Sequence, residues 1–213
     1  MDINGMRETL RDMARRIASC GYFVAAPDMF YRIGHQIGVH DPELVAELPD
    51  LMDRVGRLLG GLGNVRVAED TKDLLDHING MTAARDGKVG LVGYCMGGPF
   101  VFYNAGAMAD RIACAASLYG VGLMTDETDS PHLLADKVTG ELYFGCAEID
   151  NFVSEDLVQQ LQTHLDLVDA NARIEWYPGT HHGFAFVDRP HFHKAANEKH
   201  WQRIIDLFRR NLD

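Results

Sequence analysis

The sequence predicts an α/β protein in which helices cover both faces of a mostly parallel central sheet. Short apolar runs of strand length alternate with longer segments whose apolar residues recur at helical spacing. These short runs are apolar throughout, which is typical of parallel strands that are buried on both faces. In such sheets the reactive loops lie at the carboxyl ends of the strands, and the search for a site starts there.

Length and composition favour a globular protein. The 213 residues can bury a substantial core, and we predict a single domain over residues 1–213. The net charge of −11 makes nucleic acid and anionic membranes poor partners. No apolar stretch is long enough to span a bilayer, and the N-terminus does not resemble a signal peptide. We therefore expect a cytoplasmic protein.

The first half of the chain is predicted to be mainly helical. Amphipathic spacing predicts helices over residues 5–20, 42–59 and 65–84. Gly21 ends the first of these helices, and Pro42 begins the second. Between them, the apolar residues 22–26 predict a short strand, and a loop follows it over residues 29–41.

The second half contains the regular alternation. Apolar runs predict strands over residues 88–93, 112–118, 141–145 and 173–177. Helices are predicted over residues 96–109, 154–168 and 190–212. Residues 120–136 are polar and predict a loop.

Cys95 is the strongest candidate for a catalytic side chain. It lies in the run Gly93-Tyr94-Cys95-Met96-Gly97-Gly98, directly after a predicted strand. This run matches the nucleophile elbow G-x-S-x-G with cysteine in place of serine. The elbow holds its central residue in strained geometry, so glycine is needed two positions to either side. The N-terminus of the following helix favours the thiolate.

A cysteine nucleophile requires a base, and the base requires an orienting acid. Asp150 follows the third predicted strand of the second half, and His182 follows the fourth. The order nucleophile, acid, histidine is the one found in α/β-hydrolases. Glu148 is an alternative acid and His181 an alternative base, and spacing alone does not separate them.

The remaining cysteines, Cys20, Cys114 and Cys146, lie in apolar surroundings and are expected to be buried thiols. None has CxxC spacing, so neither a zinc site nor a redox pair is indicated. The pairs His181-His182 and His191-x-His193 are interpreted as a solvated surface rather than a metal site.

The chain resembles the dienelactone hydrolase family of α/β-hydrolases. The matching segments extend over nearly the whole chain in the same order, and they are Gly21-Tyr22, Ala26-Pro27-Asp28, Gly93–Gly98, Asp150-x-x-Val153 and His182-Gly183-Phe184. The resemblance implies a three-layer α/β-hydrolase fold and a catalytic triad of Cys95, His182 and Asp150. It also implies hydrolysis of a small ester or lactone through a thioacyl-enzyme, without a cofactor or metal.

The resemblance further implies roles for residues around the nucleophile. The backbone N–H groups of Met96 and Ile3 would form the oxyanion hole, and Asp2 would contact the resting thiol. Arg32 matches one of two arginines that bind a substrate carboxylate in the family. The second would fall near Phe186, so we expect a less charged substrate, with Tyr31, Tyr119 and Phe186 as candidate wall residues.

This chain differs from the family at its N-terminus. The family has strands before the oxyanion loop, whereas this sequence begins at that loop, so we expect the sheet to lack a strand beside the one that leads to Cys95. Either the N-terminus is truncated or misassigned, or another segment fills the gap. The alternative function is then a catalytically silent module that binds small molecules. An amidotransferase-like enzyme fits less well, because Gly183-Phe184 follows the histidine. The oligomeric state stays open.

Overall fold

The computed structural model describes residues 1–213, which divide into two compact units, residues 1–85 and 86–213. The first unit contains helices and no strand, and the second contains a parallel sheet with its helices. The predicted α/β fold class is confirmed. None of the helices is both long and apolar enough to cross a membrane.

The first unit has four helices, α1 (Glu8–Ala18), α2 (Pro42–Glu47), α3 (Leu51–Leu59) and α4 (Asn64–Ile78). The prediction of one continuous helix over residues 42–59 is wrong, because Pro49 cannot extend a helix through its position. The Asp41 and Asp50 side chains instead accept backbone N–H groups at the starts of α2 and α3.

The segment after α1 departs from the predictions in two ways. Residues 22–28 form no strand, although their composition suits one, because a strand requires a hydrogen-bonded neighbour and the first unit contains no strand. Phe23 is consequently 46% exposed. The predicted burial of Cys20 is also wrong: α1 ends at Ala18, and Cys20 lies exposed in the turn that follows.

The second unit alternates strands and helices. In chain order these are β1 (Val89–Tyr94), α5 (Gly97–Ala107), β2 (Ile112–Leu118), a 3₁₀ helix (Pro131–Lys137), β3 (Glu141–Ile149), α6 (Glu155–Leu167), β4 (Ala172–His181) and α7 (Lys194–Leu212). The four strands are parallel in the order β1-β2-β3-β4. The predicted bounds of β2 are confirmed, whereas the last part of the predicted polar loop over residues 120–136 belongs to the 3₁₀ helix.

Helices cover both faces of the sheet. A Cβ atom at Gly90 would lie 2.6 Å from the ring of Phe208 in α7, and a Cβ atom at Gly93 would lie 2.1 Å from the carbonyl oxygen of Gly97 in α5. Residues 90 and 93 of a strand point to opposite faces. Helices α7 and α5 therefore pack on opposite sides of β1, as a three-layer fold requires.

The core is centred on β2, in which all seven residues are buried. The apolar residues of this strand are thus explained by burial on both faces. By contrast, β1 pairs with β2 alone and forms an edge of the sheet, where the resemblance implied a further strand. Cys114 and Cys146 are buried, as predicted.

Candidate active site

Cys95 lies at the turn between β1 and α5. Its backbone has a φ of +53°, a left-handed conformation that is strained for a side chain with a Cβ atom. Its N–H donates to the carbonyl oxygen of Leu118 at 3.1 Å, and its own carbonyl accepts from the N–H groups of Gly98 and Val121. Any side chain at Gly93 would collide with the start of α5. These contacts fix the sharp strand-to-helix turn that the sequence predicts, and the role of Cys95 as nucleophile stays a prediction.

The carboxyl ends of β3 and β4 bring Asp150 and His182 together. Both strands are longer than predicted, and their last paired residues are Ile149 and His181. Asp150 directly follows Ile149 of β3, and His182 directly follows His181 of β4. The register of β3 shifts between Ala147 and Ile149, which is the kind of irregularity that re-aims side chains at the end of a strand.

His182 and Asp150 form a partly buried pair. His182 Nδ1 lies 2.8 Å from Asp150 Oδ2, and their side chains are 16% and 4% exposed. The second carboxylate oxygen accepts the backbone N–H of Phe152 at 2.9 Å. Because the carboxylate only accepts, Nδ1 carries a proton, and Nε2 is the nitrogen that can exchange protons with a nucleophile.

The two alternative residues make other contacts. The Glu148 carboxylate accepts the backbone N–H of Gly179 at 2.7 Å, on an exposed part of β3. The His181 ring stacks on the ring of His191, with 4.6 Å between the ring centroids. Glu148 therefore contacts Gly179 and His181 contacts His191, instead of the His182–Asp150 pair.

The charges around His182 favour its protonated form. Burial lowers the pKa of His182, but the hydrogen bond with Asp150 and the interactions with Cys95 raise it to about 9. The imidazole is therefore electrostatically coupled to the candidate nucleophile as well as to the candidate acid. A thiolate beside an imidazolium is a reactive form of cysteine.

Aromatic rings surround His182. Its ring contacts those of Tyr119 and Phe152, with centroids 5.0 Å and 4.8 Å away. Tyr119 has a φ of +38°, a second strained residue at the carboxyl end of the sheet. Tyr119 and Phe186 are almost fully buried, at 2% and 1% exposed, so both are core residues, and their predicted role in the wall of a substrate site stays a prediction. Phe152 was missed by the sequence reasoning, although it lies only two residues beyond Asp150.

A positioning contact behind the elbow was also missed. The hydroxyl of Tyr94, the residue before Cys95, lies 3.2 Å from Nε2 of the buried His200 in α7. His200 Nδ1 is close to the carbonyl oxygen of Asn197, which requires a proton on Nδ1. Tyr94 therefore donates to His200, and only the packing of α7 could have revealed this pair.

Four predicted site residues lie in the first unit, and they are Asp2, Ile3, Tyr31 and Arg32. The buried Asp2 carboxylate is held by Arg7 at 2.6 Å and 3.1 Å, and the carbonyl oxygen of Ile3 accepts the Val39 N–H. The Arg32 guanidinium and the Tyr31 hydroxyl both donate to Asp70. These contacts lie within residues 1–85, and the roles predicted for these four residues stay predictions.

A narrow apolar pocket of about 10 Å³ in the second unit is lined in part by Asp150. Its lining includes Tyr119, Cys146 and Trp176, but neither Cys95 nor His182. Burial raises the pKa of the Cys146 thiol to about 12, so this cysteine is inert at neutral pH. The pocket therefore reaches Asp150 but neither Cys95 nor His182.

The parallel sheet, the strained cysteine and the histidine after the last strand define an α/β-hydrolase fold. A crystal structure from Klebsiella pneumoniae, provisionally named a dienelactone hydrolase, superposes with a TM-score of 0.83 over 97% of this chain and 83% of its own, at 23% identity. At that identity the likeness shows the fold alone.

The sequence model of the dienelactone hydrolase family matches residues 1–212, so the chain belongs to that family. A protein of Escherichia coli O157:H7, provisionally named carboxymethylenebutenolidase, is 29% identical over 98% of this chain and 74% of its own length. The carboxymethylenebutenolidase of Rhodococcus opacus is 25% identical over 99% and 79%. The chain is a hydrolase of the dienelactone hydrolase type.

Proposed function

We propose that this protein hydrolyses small carboxylic esters or lactones, with Cys95 as nucleophile, His182 as acid and base, and Asp150 as its orienting partner. The observation that carries the proposal is the His182–Asp150 pair, whose histidine has a pKa raised by Asp150 and by Cys95. All three residues follow strands of one parallel sheet. This arrangement serves acyl transfer, because an imidazole held in one tautomer can exchange protons beside a cysteine nucleophile.

In the acylation step the Cys95 thiolate attacks the carbonyl carbon, and the π electrons move onto the carbonyl oxygen. The backbone N–H of Met96, at the N-terminus of α5, is the proposed donor to that oxyanion. As the carbonyl re-forms, the ester C–O bond breaks and the leaving oxygen takes the proton from His182 Nε2. The product is a thioester on Cys95, together with a free alcohol or an opened lactone.

In the deacylation step the neutral His182 removes a proton from water, and the resulting hydroxide attacks the thioester carbonyl. The C–S bond then breaks, which releases the carboxylic acid and regenerates the thiolate beside an imidazolium. Asp150 keeps the ring in the same tautomer throughout, because its carboxylate accepts the Nδ1 proton. The cycle closes without any added cofactor.

The proposal extends to location and partners. The four cysteines form no disulfide, which fits a reducing cytoplasm. The family points to a small-molecule substrate. The charge of −11 disfavours nucleic acid as a second ligand.

Hydrolysis of phenyl acetate by the wild type and by Cys95→Ala tests the proposal. We expect the substitution to lower kcat/KM by about 1,000-fold or more, because no other group can form the thioester. Intact-protein mass spectrometry of the wild type, quenched during turnover, should show one added acetyl group. Cys20→Ala, which removes an exposed thiol in the first unit, is the matched control and should keep its activity.

Equal activity in the wild type and Cys95→Ala would remove Cys95 as the nucleophile. No activity in either protein, together with retained binding of an ester, would favour the silent binding module.

A further inference from the structure

Phe152 is the one large apolar side chain that both contacts His182 and remains exposed. Its ring centroid lies 4.8 Å from that of His182 at an interplanar angle of 62°, and 71% of the residue is accessible to solvent. Tyr119, the other ring on His182, is almost fully buried. The two rings therefore have different environments although both touch the same imidazole.

The backbone fixes Phe152 in this place. Its N–H donates to Asp150 Oδ1, while His182 Nδ1 lies against Asp150 Oδ2. The Asp150 carboxylate thus binds the imidazole on one oxygen and the backbone of Phe152 on the other. This geometry places the Phe152 ring against His182 and leaves the ring exposed.

Burial in the core does not explain the ring. An exposed phenylalanine side chain gains little of the hydrophobic free energy that a buried one contributes. A polar residue could make the same backbone hydrogen bond to Asp150, since Asx turns accept any residue at that N–H. The free ring surface beside the imidazole is therefore suited to contact something that is not part of the chain.

The reaction places one part of the substrate beside His182. Since Nδ1 is committed to Asp150, only Nε2 can deliver a proton to the leaving oxygen, and the two atoms must come within hydrogen-bond distance. The substituent on that oxygen then lies next to the imidazole. Aromatic rings interact favourably at centroid separations of about 4.5–7 Å, so a ring on this substituent comes within reach of Phe152.

We propose that Phe152 contacts the alcohol side of the substrate and selects esters with aromatic or bulky apolar leaving groups over those with small alkyl groups. The inference rests on the proposed function, since it requires His182 to protonate the leaving oxygen. It concerns specificity alone, because Phe152 exchanges no proton.

The test compares benzyl acetate with methyl acetate, which share one acyl group and release alcohols of similar acidity. We expect Phe152→Ala to lower kcat/KM for benzyl acetate by about 5- to 10-fold and to change that for methyl acetate by less than about twofold. Phe152→Tyr should restore the preference for the benzyl ester, and Phe152→Leu should restore it only in part. Leu167→Ala, which truncates an exposed apolar residue at the end of α6, should leave both values unchanged.

Equal losses for the two esters in Phe152→Ala would overturn the inference, since the ring would then act only by positioning His182. Unchanged values for both esters would overturn it as well. In either case a wild-type activity that Cys95→Ala abolishes would leave the proposed function standing. If the wild type has no activity that depends on Cys95, the proposed function fails, and this inference fails with it.

Discussion

Residues 1–85 and residues 86–213 satisfy their backbone polar groups in different ways. In the first unit the backbone hydrogen bonds lie mainly within helices and turns, and the apolar residues 22–26 have no strand beside them in that unit. In the second unit four strands pair in register, and their buried apolar side chains form a dense core. A chain segment with strand composition becomes a strand only where a partner strand is present.

The two units also differ in the chemistry of their ion pairs. In the first unit Arg32 is paired with Asp70. In the second unit Asp150 is paired with His182, and Cys95 contributes to the raised pKa of that histidine. The arginine of the first pair stays protonated, whereas the histidine of the second can gain and lose a proton. An ion pair therefore points to chemistry where one of its members can still exchange a proton.

The largest expected effect in this comparison belongs to Asp150. We expect Asp150→Asn to lower kcat for phenyl acetate by about 100-fold or more, because an amide can donate to Nδ1 and favour the wrong tautomer of His182. Steady-state kinetics at neutral pH measures this effect, with circular dichroism to confirm that the variant is folded.

Glu148→Gln is the matched control for Asp150→Asn. It makes the same change of a carboxylate to an amide two residues away, at a side chain that bonds Gly179 instead of His182. A greater loss of kcat in Glu148→Gln than in Asp150→Asn would show that the acid has been assigned to the wrong residue.

The next effect is the pH dependence of acylation. The pKa of His182 is raised to about 9, so its proton is present at neutral pH and is lost as the pH rises through about 9. We expect kcat/KM to fall about tenfold per pH unit above that value, because the leaving oxygen then has no acid. The stabilising contribution of the protonated imidazole, complete below the unfolded value of 6.5, should disappear over the same rise in pH.

Removal of Cys95 sharpens the same prediction. Since Cys95 contributes to the raised pKa of His182, NMR titration of the His182 ring in Cys95→Ala should give a lower pKa than in the wild type. An unchanged pKa in that variant would contradict the coupling between the thiol and the imidazole.

The smallest expected effect belongs to Arg32. Its pair with Asp70 is about one-third exposed on each side, so Arg32→Ala should lower the free energy of unfolding by less than about 1 kcal/mol. We expect kcat/KM for neutral esters to change less than about twofold. Urea denaturation and the same ester assay check both values. A selective loss of activity toward a dienelactone carboxylate would instead support the arginine role that the resemblance implied.

Several features could be predicted from the sequence because local chemistry decides them. The run Ile112–Leu118 is apolar throughout, and its strand bounds are as predicted. The elbow around Cys95 was predicted because glycine is required wherever a side chain would collide, as at Gly93. The family itself was predicted from these motifs and their order, and it is confirmed over residues 1–212.

Only the tertiary structure decided the features that depend on distant partners. Residues 22–26 have the composition of a strand, but no pattern within the segment shows whether a neighbouring strand is present. Spacing left Glu148 and Asp150 open, and the register between Ile149 and His181 brought Asp150 to His182. The sequence by itself determined which residues could react, because residue type and turn chemistry are local. Which of them meet was decided by strand register, because hydrogen bonds between strands join residues that are far apart in the chain.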